Sequence, residues 1–223
     1  MKRKGVIAAG NRYTAEAGLE ILREGGNAFD AVIAATLTSC VAEPTFTSAG
    51  GGGFLMAHTK NGDNILFDYF AQTPGSRENL SEIDFYPIKF NFGDAIQYFH
   101  IGLGSAAVPG MLAGLFHVHK KLGKMPFREL AAPAIEGAGK GFVITSQLAD
   151  FLELVREVIT STPDAREIFM RNGQLLKEGD TLKVANYAGF LEFIAHEGID
   201  EFYCGEIAER IAKDSRERGG LLR

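Results

Sequence analysis

The prediction of the fold starts from residues 45–74, TFTSAGGGGFLMAHTKNGDNILFDYFAQTP. Four glycines at positions 50–53 lead into an apolar run, and a second apolar run follows a turn rich in Gly, Asn and Asp. Two such runs joined by a turn predict a β-hairpin with strands near residues 54–58 and 65–70. Consecutive glycines also permit close approach of another segment or a ligand, but a tight entry into a core strand is the simpler explanation.

Composition limits the classes of protein to consider. The 223 residues are 46% hydrophobic and 23% charged, which is ordinary for one large or two small globular domains. A net charge of -5 argues against nucleic acid or an anionic membrane as the main partner. The two cysteines, Cys40 and Cys204, lie far apart and lack metal-ligand spacing, so neither a disulfide framework nor a zinc site is expected. Without a membrane-length apolar run, we expect a cytoplasmic location, or a periplasmic or secreted one if a leader was removed.

Helical periodicity dominates the rest of the chain. Residues 5–9 indicate a short strand, and Thr14 is expected to cap the first helix. Asn27, with Asp30 three positions later, begins a second helix over residues 28–41. That helix is rich in alanine and apolar on nearly all sides, which is typical of a buried helix.

The middle of the chain is more irregular. Residues 75–93 are rich in turns and aromatic side chains and predict no regular element, whereas residues 95–101 predict a strand. Pro109 is expected to be the first residue of a helix. The remaining helical patterns cover residues 127–139, 146–159, 163–170, 187–197 and 205–218.

Two further motifs could carry chemistry. Gly102 and Gly104 have the spacing of a dinucleotide fingerprint, but the predicted helix begins later, at Pro109, so nucleotide binding is only a third hypothesis for function. His117 and His119 lie two residues apart and therefore point in different directions on a helix, which argues against a shared metal ion.

Six pieces of the chain carry a stronger signal when they are taken in order: AEAGLEILREGGNAFDAVIAATL, VAEPTFTSAGGGGF, FDYFAQTPG, GSAAVPGMLAGL, KLGKMPFRELAAPAIEGAGKGF and FYCGEIAERIAKDSRERGGLL. Together they resemble the γ-glutamyltranspeptidase family of N-terminal-nucleophile hydrolases. The resemblance covers almost the whole chain, and the GGNAFDA and EP…GGGGF pieces are its most specific parts.

The resemblance implies an α+β fold, the αββα sandwich of these hydrolases. Residues 1–223 would be an incomplete large-subunit portion of one catalytic domain, comprising its N-terminal, helix-rich part and the strand hairpin. The resemblance also implies a precursor that cleaves itself before a threonine, whose hydroxyl then attacks a γ-glutamyl amide such as glutathione. The acyl group passes to water or to an amino acid, as in a hydrolase or a transferase.

The same resemblance implies that the nucleophile lies beyond Arg223. No catalytic residue is therefore expected in this chain, and the chain alone is expected to be inactive. Its expected partners are the small-subunit segment of the same precursor and a small-molecule amide, with no cofactor. The alternative is a non-catalytic binding or scaffold relative of the family.

The substrate-binding segment departs from the family's pattern. Transpeptidases carry an Asp-Phe-Arg-Glu-Thr-Ala-Pro-like segment whose Arg holds the substrate α-carboxylate, and alignment on Asp68 and Pro74 puts Phe70 at the Arg position and Ala71 at the Glu position. A phenyl ring cannot form forked, charged hydrogen bonds, so we expect Phe70 to line a pocket for a less polar acyl group. Arg77 is a further substrate-binding candidate, because it could supply charge from another direction.

Overall fold

Residues 5–75 and 82–223 are described by a computed structural model of the chain. Within them the helices are α1 (Arg12–Glu24), α2 (Ala28–Ala42), α3 (Met111–Leu122), α4 (Phe127–Lys140), α5 (Ser146–Leu154), α6 (Arg156–Ile159), α7 (Pro163–Phe169), α8 (Tyr187–Glu197), α9 (Asp200–Tyr203) and α10 (Glu206–Glu217). The strands are β1 (Gly53–His58), β2 (Asn64–Tyr69), β3 (Tyr86–Asn91), β4 (Ile96–Ile101), β5 (Phe142–Val143), β6 (Met170–Arg171), β7 (Gln174–Leu175) and β8 (Thr181–Leu182). Helices mixed with antiparallel strand pairs make the chain α+β, as predicted.

The described chain divides into two compact units. The first contains residues 5–71, Pro109–Phe142 and Lys183–Ile199, and the second contains the described residues of Gln72–Val108, together with Val143–Leu182 and Asp200–Arg223. No helix in the part of the chain that the structure describes is both long and apolar enough to cross a bilayer.

Helix α2 is the centre of the first unit, with α1 and α4 packed against it. Its start is the predicted capping box: the Asn27 side chain accepts the N–H of Asp30 at 2.9 Å, and the Asp30 carboxylate accepts the N–H of Asn27 at 2.8 Å. Asp30 is fully buried and also accepts the Lys124 N–H at 2.9 Å. The buried carboxylate therefore joins the start of α2 to the loop between α3 and α4.

Strands β1 and β2 form the predicted hairpin, with a register that runs from Gly53 opposite Tyr69 to His58 opposite Asn64. Side chains alternate between two faces, as they must in a strand. Buried side chains on one face are Leu55, Ala57 and Phe67, and large apolar side chains exposed on the other are Phe54, Met56 and Leu66. The hairpin therefore contributes only one of its faces to the core of the first unit.

In the second unit, residues 86–91 contradict the prediction of an irregular segment, because they form β3 and pair antiparallel with β4. The turn between the strands contains Gly93 with φ of 88°, and the N–H of Phe92 donates to the carbonyl of Ala95 at 2.8 Å. Pro87 is compatible with this strand because each strand of a two-stranded ribbon has a free edge, where a missing N–H costs little.

The core of the second unit is an aliphatic cluster built by α5 to α7 and the short strands that follow them. Its buried members are Ile144, Leu148, Leu152, Ile159, Phe169, Leu175, Leu176 and Leu182. The predicted turn at Asn172 and Gly173 joins β6 to β7, with φ of 52° and 77°. Positive φ at both positions is the geometry of a tight hairpin turn, for which Asn-Gly is the favoured sequence.

Two predictions at the start of the chain are wrong. Residues 5–9 form no strand, and Val6 is 96% exposed, so this apolar run is not paired into a sheet in the first unit. Asn11 rather than Thr14 caps α1, because the Asn11 side chain accepts the N–H of Tyr13 at 2.8 Å. Thr14 lies inside the helix, where its buried hydroxyl donates to the Glu43 carboxylate at 3.0 Å.

Candidate substrate-binding site

The glycine segment, residues 50–53, is held by the start of α3. The carbonyl of Gly51 accepts the N–H groups of Gly110 and Met111, each at 2.9 Å. The first N–H groups of a helix have no partner within the helix, so Gly51 supplies an acceptor for two of them. The helix begins at Met111, two residues later than the predicted start at Pro109.

Two glycines permit close contact with the end of β2. A Cβ atom on Gly52 would lie within 3.0 Å of backbone atoms of Tyr69, Phe70 and Ala71, and one on Gly110 would lie as close to the Tyr69 carbonyl. Real Cβ atoms do not approach backbone atoms so closely, so these positions require glycine. Of the two explanations for the glycines, close approach of another backbone segment therefore accounts for Gly52.

Phe70 and Ala71 follow directly after β2, where the glycine segment and the start of α3 meet. The N–H of Phe70 donates to the Asp68 carboxylate at 3.0 Å, a local bond that fixes the chain direction as the strand ends. The Phe70 side chain is 55% exposed, and Ala71 is half-buried. Arg77 lies outside the described residues. The substrate-binding role predicted for Phe70, Ala71 and Arg77 stays a prediction.

Phe54 is a neighbour of Phe70 that the sequence analysis did not identify. Their rings stack with centroids 5.4 Å apart and planes inclined by 14°. Phe54 lies opposite Asp68 in the ladder, and Phe70 follows Asp68 by two residues, so all three side chains belong to one side of the hairpin. The strand period alone places Phe54 on this side, but the stacking depends on the register, which the sequence does not fix.

Three groups near the site are neutral at neutral pH. Burial raises the pKa of the Cys40 thiol to about 11, and the sulfur lies 3.7 Å from the Thr47 hydroxyl oxygen. Burial also raises the pKa of Tyr69 and of Tyr187, with a smaller contribution from Cys40 in each case. Both cysteines are free. These side chains therefore add no charge to the surroundings of the site.

The chemistry of this region suits binding of an apolar group. Two stacked rings are exposed, and the carboxylate on the same side, Asp68, accepts a backbone N–H. Across residues 5–75 and 82–223, no group of three or more His, Cys, Asp or Glu side chains is arranged to hold a metal ion.

The other motifs of the sequence have structural roles. The N–H of Leu103 donates to the Asp84 carboxylate, and the N–H of Gly104 donates to the Asp84 carbonyl, each at 2.8 Å. No helix opens at these glycines, as a dinucleotide fingerprint requires, since the residues form a 3-10 turn over Leu103–Ser105.

His117 and His119 diverge, as predicted for residues two apart on a helix. The Nε2 atom of His119 lies 2.7 Å from the Met125 carbonyl oxygen, whereas the ring of His117 contacts the edge of Phe67, with centroids 5.8 Å apart. Both rings have structural partners within the first unit.

Comparisons with known proteins agree with this geometry. The sequence profile described as Gamma-glutamyltranspeptidase matches residues 14–223. The glutathione hydrolase proenzyme of Escherichia coli (strain K12) is 35% identical over 221 residues, which cover 99% of this chain and 37% of that protein. The crystal structure of Helicobacter pylori γ-glutamyltranspeptidase matches with a TM-score of 0.84 at 29% identity, over 100% of this chain and 63% of that chain. A crystal structure of cephalosporin acylase from Bacillus halodurans matches with a TM-score of 0.78 at 25% identity, over 99% of this chain and 42% of that chain.

The α+β fold of this chain is thus shared with transpeptidases and acylases of the N-terminal-nucleophile hydrolase class. The chain belongs to the γ-glutamyltranspeptidase family, which confirms the resemblance found in the sequence. It spans 37% of the length of the Escherichia coli relative.

Proposed function

We propose that this chain is the N-terminal part of the large subunit of a self-cleaving amidohydrolase or acyltransferase. The match of residues 14–223 to the family is the observation that carries the proposal. The Escherichia coli relative is named a proenzyme, which supports a precursor that is processed into subunits. The proposed complete fold is the αββα sandwich, to which the hairpin of β1 and β2 contributes strands.

The proposed reaction uses a threonine from the remainder of the precursor. Its hydroxyl attacks the carbonyl carbon of an amide, and its α-amine accepts the hydroxyl proton. The C–N bond breaks, the proton passes to the departing amine, and the acyl group remains on the threonine as an ester. Water or an amino acid then attacks this ester and releases the acyl group. The residues of this chain contribute a binding surface rather than the nucleophile.

The outer face of the hairpin supports the idea of a subunit partner. Phe54, Met56 and Leu66 are 59%, 65% and 57% exposed on this face. Single exposed apolar residues are ordinary, but a contiguous apolar face on a sheet usually contacts another surface. We infer that the remainder of the precursor covers the part of this face formed by Met56 and Leu66 and completes the sandwich.

Phe70 makes the proposed substrate preference differ from that of a glutathione hydrolase. The family's Arg at this position would form charged, forked hydrogen bonds with an α-carboxylate, and a phenyl ring forms none. Losing such a buried charged contact costs about 2–5 kcal/mol of binding. With Ala71 at the neighbouring Glu position, we propose an amide whose acyl group is less polar than γ-glutamyl. Arg77 stays a candidate for a compensating charge.

The first test is the intact mass of the full-length gene product after incubation at neutral pH. We expect two fragments, the smaller beginning with threonine. A single uncut mass would favour the second candidate function, a non-catalytic binding or scaffold protein. In a cleaved protein, Phe70→Arg is expected to raise kcat/KM on γ-glutamyl p-nitroanilide, and no gain would count against the alignment of Phe70 with the Arg position. The cytoplasmic location and the lack of nucleic-acid or membrane partners stay predictions.

A further inference from the structure

The pair of stacked rings at the end of the hairpin is the feature of the first unit that the family pattern does not explain. Phe54 is 59% exposed and Phe70 is 55% exposed, although each covers part of the other. A side chain that filled the core would be buried, as the Leu55 side chain is, with 8% exposure. The two rings therefore present apolar surface to something outside the described residues.

The geometry of the pair fixes which surface is presented. Planes inclined by 14° at a centroid distance of 5.4 Å describe an offset stack, an arrangement that aromatic rings prefer to a direct sandwich. Phe70 lies beyond the last residue of β2, but its backbone is held by the bond to Asp68 and its ring by Phe54. Phe54 is itself fixed by the ladder of β1. The Phe54 ring thus supports the Phe70 ring in this position.

The polar group beside the pair offers an anionic ligand no partner. Asp68 lies on the same side of the hairpin, directly opposite Phe54 in the ladder, and its carboxylate accepts the Phe70 N–H at 3.0 Å. With Phe70 aligned to the family's Arg position, the pair offers an acyl group apolar surface and no positive charge.

We propose that Phe54 is a second specificity-determining residue, which forms with Phe70 a subsite for the aromatic acyl group of a neutral amide. This inference rests on the proposed function. Phe54 acts in two ways: it contacts the acyl group, and it holds the Phe70 ring in place. The substrate class is that of arylacetyl or similar amides without an α-carboxylate.

The test uses the full-length protein and a matched control on the same strand. Met56 lies two residues from Phe54 on the same face and is 65% exposed. It pairs with Leu66, whereas Phe54 pairs with Asp68, at the end of the hairpin where Phe70 lies. Self-cleavage of each variant is followed by intact mass, and kcat/KM is measured on phenylacetyl p-nitroanilide and on γ-glutamyl p-nitroanilide. The variants are Phe54→Ala, Phe70→Ala, the double variant, and Met56→Ala.

We expect Phe54→Ala to cleave normally and to lose about tenfold or more in kcat/KM on the phenylacetyl amide, with little change on the γ-glutamyl amide. The double variant should not lose a further tenfold in kcat/KM relative to Phe70→Ala, because the two rings act as a unit. Equal losses on both amides, or the same selective loss in Met56→Ala, would overturn the proposal and leave the proposed function intact. A wild-type protein that neither cleaves nor acts on either amide would overturn both.

Discussion

Replacement of Gly52 by alanine is the sharpest test of how the candidate site is built. The added Cβ would lie within 3.0 Å of three backbone atoms, one from each of Tyr69, Phe70 and Ala71. Ordinary contacts of this kind are 3.4–4 Å long, so one of the two backbone segments must move by several tenths of an ångström or more. Overpacking of this kind costs about 1–3 kcal/mol, and here no flexible side chain can absorb it. In a cooperative unit of 150–250 residues, 1 kcal/mol corresponds to roughly 2–4 °C in Tm, so this cost lowers Tm by roughly 2–12 °C.

Gly50 is the matched control, since a Cβ there meets only the hydroxyl oxygen of Ser48, at 3.7 Å. Gly50→Ala is expected to leave the stability unchanged, or to raise it by about 0.4–1 kcal/mol through lower entropy of the unfolded chain. Both variants would be made in the full-length protein and compared by thermal unfolding and by intact mass, which reports self-cleavage. Equal Tm values for the two variants would refute the assignment of Gly52 to a close backbone approach.

Two further predictions concern buried groups of the first unit. Asp30→Ala leaves the partly buried N–H groups of Asn27 and Lys124 without their acceptor, at about 1–3 kcal/mol each, so denaturant unfolding should show a loss of about 3 kcal/mol in the free energy of unfolding. Asp30→Asn keeps one oxygen and should lose less. A loss below about 1 kcal/mol for Asp30→Ala would contradict the role of this carboxylate. Cys40 has an ordinary pKa of 9.0 when unfolded and a pKa of about 11 when folded, so alkali favours the unfolded state. Between pH 9 and pH 11 the free energy of unfolding should fall by about 2 kcal/mol more than in Cys40→Ala, and parallel curves for the two proteins would argue against burial of the thiol.

The sequence predicted those elements in which local signals agree with tertiary packing. The capping box at Asn27 and the continuous apolar composition of α2 both favour a buried helix, and the structure confirms it. The Gly/Asn/Asp turn and the alternating runs predict the hairpin, and the observed strands begin one residue earlier than predicted. In each case, a local signal and the burial of apolar side chains point to the same structure.

Predictions failed where tertiary contacts override a local signal. Pro109 is a good first residue of a helix, but the helix begins at Met111, where the N–H groups of Gly110 and Met111 donate to the carbonyl of Gly51. Thr14 is a good cap, but its hydroxyl donates to Glu43, twenty-nine residues away. The strand β3 was missed because Pro87 and the neighbouring aromatic residues resemble an irregular segment until the pairing with β4 is known.

The proposed replacement of the family's Arg by Phe70 can be tested because the exposure of Phe70 separates an effect on binding from an effect on folding. A phenyl ring that replaces an arginine could in principle have turned into the core, and the position would then no longer face a ligand. Instead, Phe70 is 55% exposed, and Asp68 holds its backbone rather than its ring. An arginine at this position would reach solvent and lie near the Asp68 carboxylate, and substitutions at such exposed positions change stability by about 0.5 kcal/mol or less. A change in the ratio of kcat/KM values in Phe70→Arg would therefore report on recognition of the acyl group and not on damage to the fold.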